Sequence, residues 1–367
     1  ALRVALTPQE AASLGQNRPE DVRAYDLYLK GRERYGHYNE AALREALSLF
    51  EQAIALDPGY ALAYAGLADS HGQLVQWSGD ADPKEHLRLG LEAAKKAIEL
   101  NPRLPEAYKS HALVLRFAGD HAAARTELLK GLEADPRHTP TLINLCVDAF
   151  TIADLAGAER GARRALDADP QEAFALLWIA SLTLFTGRYE ETIAVAQRVR
   201  KASDSPFYTG GSYSLRMMVD LKRGDTTRIV TMTREAIAAG AEPIVFQPYV
   251  ALAALIDGRV DEARRILGEL AQVPQLGFGQ LLTAASLALR LGDPAAATQF
   301  MSRPIALAIA PTTIRIESDL MALADVPAFA PRRMDQALVW PLEAPMIDAA
   351  RFRLFREMKV ESGLPER

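Results

Sequence analysis

The chain has 367 residues, of which 49% are hydrophobic and 24% are charged, and its formal net charge is −5. This charge predicts neither direct nucleic-acid binding nor attraction to an anionic membrane surface, and the apolar runs are too short to predict membrane insertion. Cys146 is the one cysteine, which excludes an internal disulfide and a cysteine-based metal site.

Residues 1–20 are predicted to be a linker or the tail of a preceding domain. Leu2, Val4 and Leu6 alternate with other residues as in one short strand. Residues 15–19 then combine glycine, polar residues and proline in the manner of a linker. Since a single strand is not stable alone, these residues indicate that the sequence is part of something longer.

From Ala24 the chain is predicted to form helical hairpins with a fixed period. Pro58 ends one helix, because proline has no N–H and its ring clashes with the preceding turn. The same signal returns at Asn101-Pro102, Asp135-Pro136 and Asp169-Pro170, with 34 residues between these last three prolines. Repetition at this interval predicts stacked helical hairpins.

Farther along, glycines mark the turn inside each hairpin better than prolines mark its end. A glycine in the left-handed conformation ends a helix without the penalty that a Cβ would bring. The second hairpin has about ten extra residues around 77–83, which predict either a binding excursion or a longer first helix. The turn glycines are Gly119, Gly187, Gly224, Gly258 and Gly292.

The packing positions within the hairpins carry a family resemblance. Ala46, Phe50, Ala53 and Pro58 match the second-helix pattern of the tetratricopeptide repeat (TPR) family, which the chain resembles. The resemblance implies an all-α fold, a right-handed TPR superhelix (α-solenoid) of about eight helical hairpins over residues 21–303. Residues 304–367 are predicted to form a proline-rich irregular segment and a C-terminal capping helix near 346–360.

A narrower resemblance concerns residues 6–10, 23–32, 61–70 and the tail at 351–358 and 363–365. These stretches are similar to a bacterial group in which a TPR array follows a TolB-like domain. In that group the two lie behind a signalling module, which is a class III nucleotide cyclase, a serine/threonine kinase or a winged-helix DNA-binding domain. The resemblance therefore implies a regulatory context and names no activity.

No residue pattern predicts catalysis. The six histidines form no i, i+4 pair, and phosphate-binding loops are absent from the sequence, so we expect no catalytic residue, no metal and no cofactor. Glu190-Glu191 and Asp261-Glu262 are interpreted as acidic residues at helix N-termini. Gly210-Gly211 with Ser212-Tyr213 is interpreted as a loop before the sixth hairpin, and Cys146 as a core residue.

The TPR resemblance implies a concave groove lined by the first helix of each hairpin. Lys109 stands where chaperone-binding TPRs carry a clamp for a terminal carboxylate, but Leu113 replaces the expected asparagine, which speaks against that function. The middle of the groove is apolar, so either it binds a partner or residues 304–360 or a tight superhelix cover it. The candidate groove residues are Lys109, Arg116, Phe117, Ile143, Phe150, Phe174, Leu177, Phe185, Met218 and Lys222.

The sequence thus favours a non-catalytic protein–protein interaction scaffold or sensor arm that binds a peptide or partner helix. Two alternatives remain at this point. One is a homodimerisation module for an upstream signalling domain, and the other is a small-molecule sensor that uses the apolar groove. The expected compartment is the cytoplasm, or the periplasm if a membrane segment precedes the fragment.

Overall fold

The computed structural model describes residues 19, 21–77, 84–152, 154–273, 276 and 278–303. These residues form sixteen α-helices and one short 3₁₀ helix, without a strand, so the all-α prediction is confirmed. The predicted N-terminal linker at 1–20, apart from residue 19, and the predicted capping helix lie outside the described residues.

The helices follow one another as eight antiparallel pairs, which agrees with the predicted number of hairpins. The first four pairs are α1 (Val22–Tyr35) with α2 (Glu40–Leu56), α3 (Ala61–Trp77) with α4 (Lys84–Leu100), α5 (Pro105–Phe117) with α6 (His121–Ala134), and α7 (Thr139–Thr151) with α8 (Leu155–Ala168). The second four are α9 (Ala173–Phe185) with α10 (Tyr189–Ala202), α11 (Pro206–Lys222) with α12 (Ile229–Ala238), α13 (Gln247–Ile256) with α14 (Val260–Ala271), and α15 (Phe278–Arg290) with α16 (Pro294–Met301).

The chain divides into two compact units, Ala1–Asn144 and Leu145–Arg367, which we call unit 1 and unit 2. In unit 1 the first helices α1, α3 and α5 each pack on their own second helix, and α3 also packs on both α1 and α5. The same holds in unit 2, where α9, α11, α13 and α15 are successive neighbours. Each unit therefore presents a layer of first helices, which we call its first-helix face.

Turn chemistry explains where the helices begin and end. Asp120 and Asp154 accept hydrogen bonds from backbone N–H groups at the N-termini of α6 and α8. All five predicted turn glycines have positive φ, between 72° and 86°, as in Gly119 and Gly187. Glu190-Glu191 and Asp261-Glu262 lie in the first turns of α10 and α14, where the helix dipole favours negative charge.

The second hairpin uses part of its additional sequence to lengthen its helices. Its helices α3 and α4 have 17 residues each, whereas α5 and α6 have 13 and 14. The first helix runs through Trp77, as one of the two predicted alternatives requires. Residues 78–83 lie outside the described part of the chain.

Unit 1 has a core in which glycine makes room for an aromatic ring. The Phe50 side chain on α2 is fully buried, as the repeat pattern predicts. A Cβ on Gly31 of α1 or on Gly66 of α3 would lie 2.6 Å from that ring. Because these two positions lack a side chain, α1 and α3 can both pack directly on Phe50.

The interpretation of Gly210-Gly211 and the two residues after it as a loop is wrong, because all four lie inside α11. Close packing accounts for Gly211, since a Cβ there would lie 3.0 Å from a methyl of Leu177 on α9, whereas a Cβ on Gly210 would meet its nearest neighbour only at 3.6 Å. The Ser212 hydroxyl donates a hydrogen bond of 2.6 Å to the carbonyl of Ala196 on α10. These contacts offset the low helix propensity of adjacent glycines.

Candidate partner-binding surface

In unit 1 the clamp-like Lys109 is buried and engaged within the chain. Its side chain is 6% exposed, and its ammonium lies 2.5 Å from Asp69 and 2.6 Å from Glu106. Asp69 belongs to α3, whereas Glu106 lies one turn before Lys109 on α5. This ammonium group is therefore covered by two carboxylates of its own chain.

The same cluster extends to the hairpins on either side. The Arg32 guanidinium of α1 lies 3.2 Å from Asp69 and 3.6 Å from Glu106. On the other side, His138 Nε2 lies 3.1 Å from the second oxygen of Glu106. These five side chains, which we call the ion cluster, join the first helices α1, α3 and α5 of unit 1 to the turn that precedes α7.

Mutual neutralisation sets the charge states of the ion cluster. Burial alone would raise the pKa of Glu106, but Lys109, His138 and Arg32 hold that pKa well below its usual range. Burial alone would lower the pKa of Lys109, but Asp69 and Glu106 raise it above its ordinary value. The charges are thus balanced within the chain, and the clamp-like position does not offer a free ammonium to a terminal carboxylate.

The other candidate residues of unit 1 are placed differently from one another. Arg116 and Phe117, at the end of α5, are half-buried, with the guanidinium 4.7 Å from the centre of the phenyl ring. Ile143 on α7 is 8% exposed. Unit 1 therefore combines a balanced charge cluster with little accessible apolar surface at the candidate positions.

In unit 2 the candidate aromatic residues come together in one cluster. The fully buried Phe150 of α7 stacks on Phe185 of α9, with ring centres 5.8 Å apart. Trp178 packs edge-on against Phe150 at 5.1 Å and against Phe174 at 6.4 Å. Phe174, Trp178 and Phe185 are each half-buried, so they retain accessible surface around the Phe150 ring.

Trp178 was not among the candidates from the sequence. It lies directly after Leu177, outside the helix positions that the family resemblance assigns to the groove. A signal was nevertheless present, because Phe174, Trp178 and Phe185 have the spacing i, i+4, i+11 that places residues on one side of a helix. We call these three side chains, together with Phe150, the aromatic cluster.

The remaining candidates of unit 2 continue along its first helices. Leu177 is half-buried and packs against Gly211, as described above. Met218 on α11 is half-buried, and its sulfur accepts a 3.5 Å hydrogen bond from Thr283 on α15. Lys222 at the end of α11 is exposed. The first-helix face of unit 2 is thus apolar around α9 and has a cationic residue at the end of α11.

A second ion-pair group braces a different part of unit 2. Arg188, just before α10, holds Glu159 of α8 through two hydrogen bonds of 2.7 and 3.0 Å. Arg163 and Glu191 complete the group, with a separation of 2.8 Å between them. Burial would raise the pKa of Glu159, but Arg188 and Arg163 lower it below its ordinary value. This geometry stabilises the packing of adjacent hairpins.

The described part of the chain contains neither a candidate metal site nor a candidate membrane-spanning helix. No three histidine, cysteine, aspartate or glutamate side chains of these ranges are grouped so that they could hold a metal ion. None of the described helices has the length and apolar character needed to span a bilayer.

Comparison with known proteins finds relatives over part of the chain. No family model matches. Human tetratricopeptide repeat protein 28 is 25% identical over 137 residues, which are 37% of this chain and 5% of the relative. The putative adenylate cyclase 3 of Rhizobium meliloti (strain 1021) is 31% identical over 119 residues, which are 32% of this chain and 20% of the relative. The chain thus corresponds to a fifth or less of the length of these relatives.

Solved structures with similar helical arrays have low sequence identity to the chain. Yeast Tom70 is 16% identical and has a TM-score of 0.49, with 95% of this chain and 66% of Tom70 covered. A tetratricopeptide repeat protein from Parabacteroides merdae ATCC 43184 is 15% identical and has a TM-score of 0.45. That alignment covers 70% of this chain and 94% of the other protein.

Stacked two-helix repeats that present a layer of first helices define the class of α-solenoid repeat proteins. Within that class, three features of the chain are typical of tetratricopeptide repeats. They are the 34-residue period, the buried Ala46, Phe50 and Ala53, and the turn glycines. The chain thus has the fold of a tetratricopeptide repeat array, as its sequence predicts.

Proposed function

We propose that this chain is a non-catalytic arm that binds an apolar peptide segment or partner helix on the first-helix face of unit 2. The observation that carries the proposal is the aromatic cluster, in which the half-buried Trp178 and Phe185 pack on the buried Phe150 and the half-buried Phe174 packs on Trp178. Half-buried aromatic side chains on a rigid support lose little conformational entropy when a partner covers them.

The chemistry of this face selects the kind of partner. The accessible parts of Phe174, Trp178 and Phe185 offer apolar contacts, and Met218 adds an adaptable side chain on the next first helix. A helix with apolar residues at i, i+3 or i+4 and i+7 matches such a surface. An acidic residue at one end of that helix would lie well beside the exposed Lys222.

A signalling context is supported by the similarity to the putative adenylate cyclase, which extends over 119 residues. In our proposal the TPR array belongs to a bacterial regulatory protein and couples partner binding to another domain. We further propose that this region contacts neither nucleic acid nor the bilayer directly and that it acts in the cytoplasm.

Selection of peptides from a displayed 15-residue library on the immobilised chain tests the binding proposal. We expect convergent sequences with two or more apolar anchors at helical spacing. Replacing Trp178 and Phe185 together by serine is expected to weaken their binding at least about tenfold, since each removes a partly desolvated ring. The matched control replaces Val230 and Ile237, which are 47% and 39% exposed on the second helix α12, by serine.

The control pair should leave peptide affinity unchanged within about twofold, because neither residue belongs to the first-helix face. Circular dichroism establishes that each double variant retains its helices. Equal loss of affinity in the two double variants, or a selection that does not converge on apolar sequences, contradicts the proposal.

A further inference from the structure

Two histidines form a direct contact inside the second hairpin of unit 1. His71 on α3 and His86 on α4 place their Nδ1 atoms 2.9 Å apart, with ring centres separated by 5.2 Å. His71 is 6% exposed. His71 is thus a packed core residue, and its partner lies on the opposite helix of the same hairpin.

A hydrogen bond between two Nδ1 atoms restricts the protonation of the pair. One Nδ1 must carry the proton and the other must offer its lone pair. Either two neutral rings or one neutral ring and one imidazolium satisfy this requirement. Two imidazolium rings would point an N–H group at each other, so the contact cannot survive protonation of both.

The surroundings of His71 disfavour its charged form. Leu113 and Val114 of α5, which contact the positions of Gly72 and Gly90 beside His71, are apolar. The charged groups that act on His71 belong to α4. Among them Glu85 favours the imidazolium, whereas Arg88 and a protonated His86 oppose it. Burial is the largest effect, and together these influences lower the pKa of His71 to about 4.

We propose that His71 and His86 form an acid-sensitive clasp that holds α3 against α4 while one ring is neutral and releases the hairpin when both are protonated. In the released hairpin His71 returns to an ordinary pKa near 6.5, so the released hairpin binds protons more readily than the closed one. The closed clasp is therefore fully favoured above about pH 6.5 and is progressively lost as the pH falls toward 4. Asp69 lies two residues before His71 on α3, so the clasp also fixes the helix that carries one end of the ion cluster.

Hydrogen–deuterium exchange of the full chain tests this clasp. Peptides from 66–77 and 86–95 are followed at pH 7.5 and pH 5.0, with exposure times scaled for the intrinsic exchange rate. In the unmodified chain we expect their protection to fall by roughly thirtyfold at pH 5.0, as the linkage between protonation and opening requires. Peptides from 173–185, in unit 2, serve as the internal reference.

The deciding variant is His71→Gln, because a neutral amide can donate to or accept from His86 in either charge state. Its protection in the two segments should not change with pH, whereas His37→Gln, at an exposed histidine, should behave like the unmodified chain. Should His71→Gln fail to fold by circular dichroism, His71→Asn gives the same comparison, because it also replaces the buried ring by a neutral amide. Constant protection in the unmodified chain, or an equal acid-induced loss in the glutamine variant, overturns the proposal.

Discussion

The ammonium nitrogen of Lys109 lies 2.5 Å from Oδ2 of Asp69, and the two side chains are 6% and 0% exposed. The pair connects first helices of consecutive hairpins across 40 residues of sequence. Because Arg32 and Glu106 complete the charge balance, the ion cluster holds unit 1 together at a position that the sequence assigns to the groove. A role of Lys109 in partner binding stays a prediction.

Replacing Lys109 by methionine should strongly destabilise unit 1. The change leaves Asp69 and Glu106 buried with only Arg32 and His138 to compensate them, and breaking a buried pair on one side costs about 3–5 kcal/mol. Urea unfolding followed by circular dichroism measures the loss. Lys222→Met, at an exposed position, is the matched control and should change stability by less than about 0.5 kcal/mol.

A double-variant cycle assigns this cost to the pair itself. Combining Lys109→Met with Asp69→Asn removes both charges, so the combined loss should be smaller than the sum of the single losses. Strict additivity, or a Lys109→Met protein as stable as the unmodified chain, would show that the two groups do not stabilise each other.

Acid should weaken both ion-pair groups in a different pH range from the histidine clasp. The pKa values of Glu106 and Glu159 are held below their ordinary values, so their contribution is complete above about pH 4.5 and is lost as the pH falls below it. The urea midpoint measured from pH 7 to pH 3 should therefore drop most steeply below pH 4.5.

The variant Glu159→Gln isolates one of these carboxylates. It should lower the midpoint at pH 7 and make it less dependent on pH below 4.5, because the titrating group has been removed. Glu190→Gln is the control, since that side chain is 85% exposed and forms a surface ion pair with Arg223. The same pH slope in both variants would contradict a special contribution from Glu159.

The repeat architecture could be predicted because each hairpin carries its own local signals. The turn glycines need positive φ, and the small residues around Phe50 leave space for one large ring, so both residue types recur at fixed intervals in the sequence. The ion cluster has no such recurring sequence pattern. Lys109 and Asp69 are 40 residues apart, and only the packing of α5 on α3 brings their charges together.

Two errors of interpretation have related physical causes. Gly210 and Gly211 both lie within α11, although local propensity alone favours a loop. At Gly211 the absent side chain leaves room for Leu177 of the neighbouring helix α9. Trp178 was overlooked because the expected groove positions follow an average repeat. Its contact with Phe150, on the preceding hairpin, depends on how these particular rings pack.

Two glycines inside second helices should respond oppositely to alanine. Nothing lies within 4 Å of a Cβ built on Gly268 in α14, so Gly268→Ala should stabilise the protein by about 0.5–1 kcal/mol through helix propensity. A Cβ on Gly161 in α8 would lie 3.0 Å from the backbone nitrogen of Cys146, so Gly161→Ala should cost about 1–3 kcal/mol. Urea unfolding of the two variants distinguishes the signs, and equal effects would contradict the packing argument.

The thiol of Cys146 should be protected as long as α7 and α8 stay packed. Cys146 is fully buried, and burial raises the pKa of its thiol above the ordinary value, which suppresses the reactive thiolate. Reaction with a disulfide reagent at pH 8 should be at least about a hundredfold slower in the native protein than in urea, because it requires local opening. Since the chain has one cysteine, the absorbance change reports this site alone.

Gly161→Ala should accelerate the native reaction by loosening the contact beside Cys146, whereas Gly268→Ala should leave it unchanged. Rapid labelling of the native, unmodified chain would mean that this helix pair opens far more readily than its packing implies.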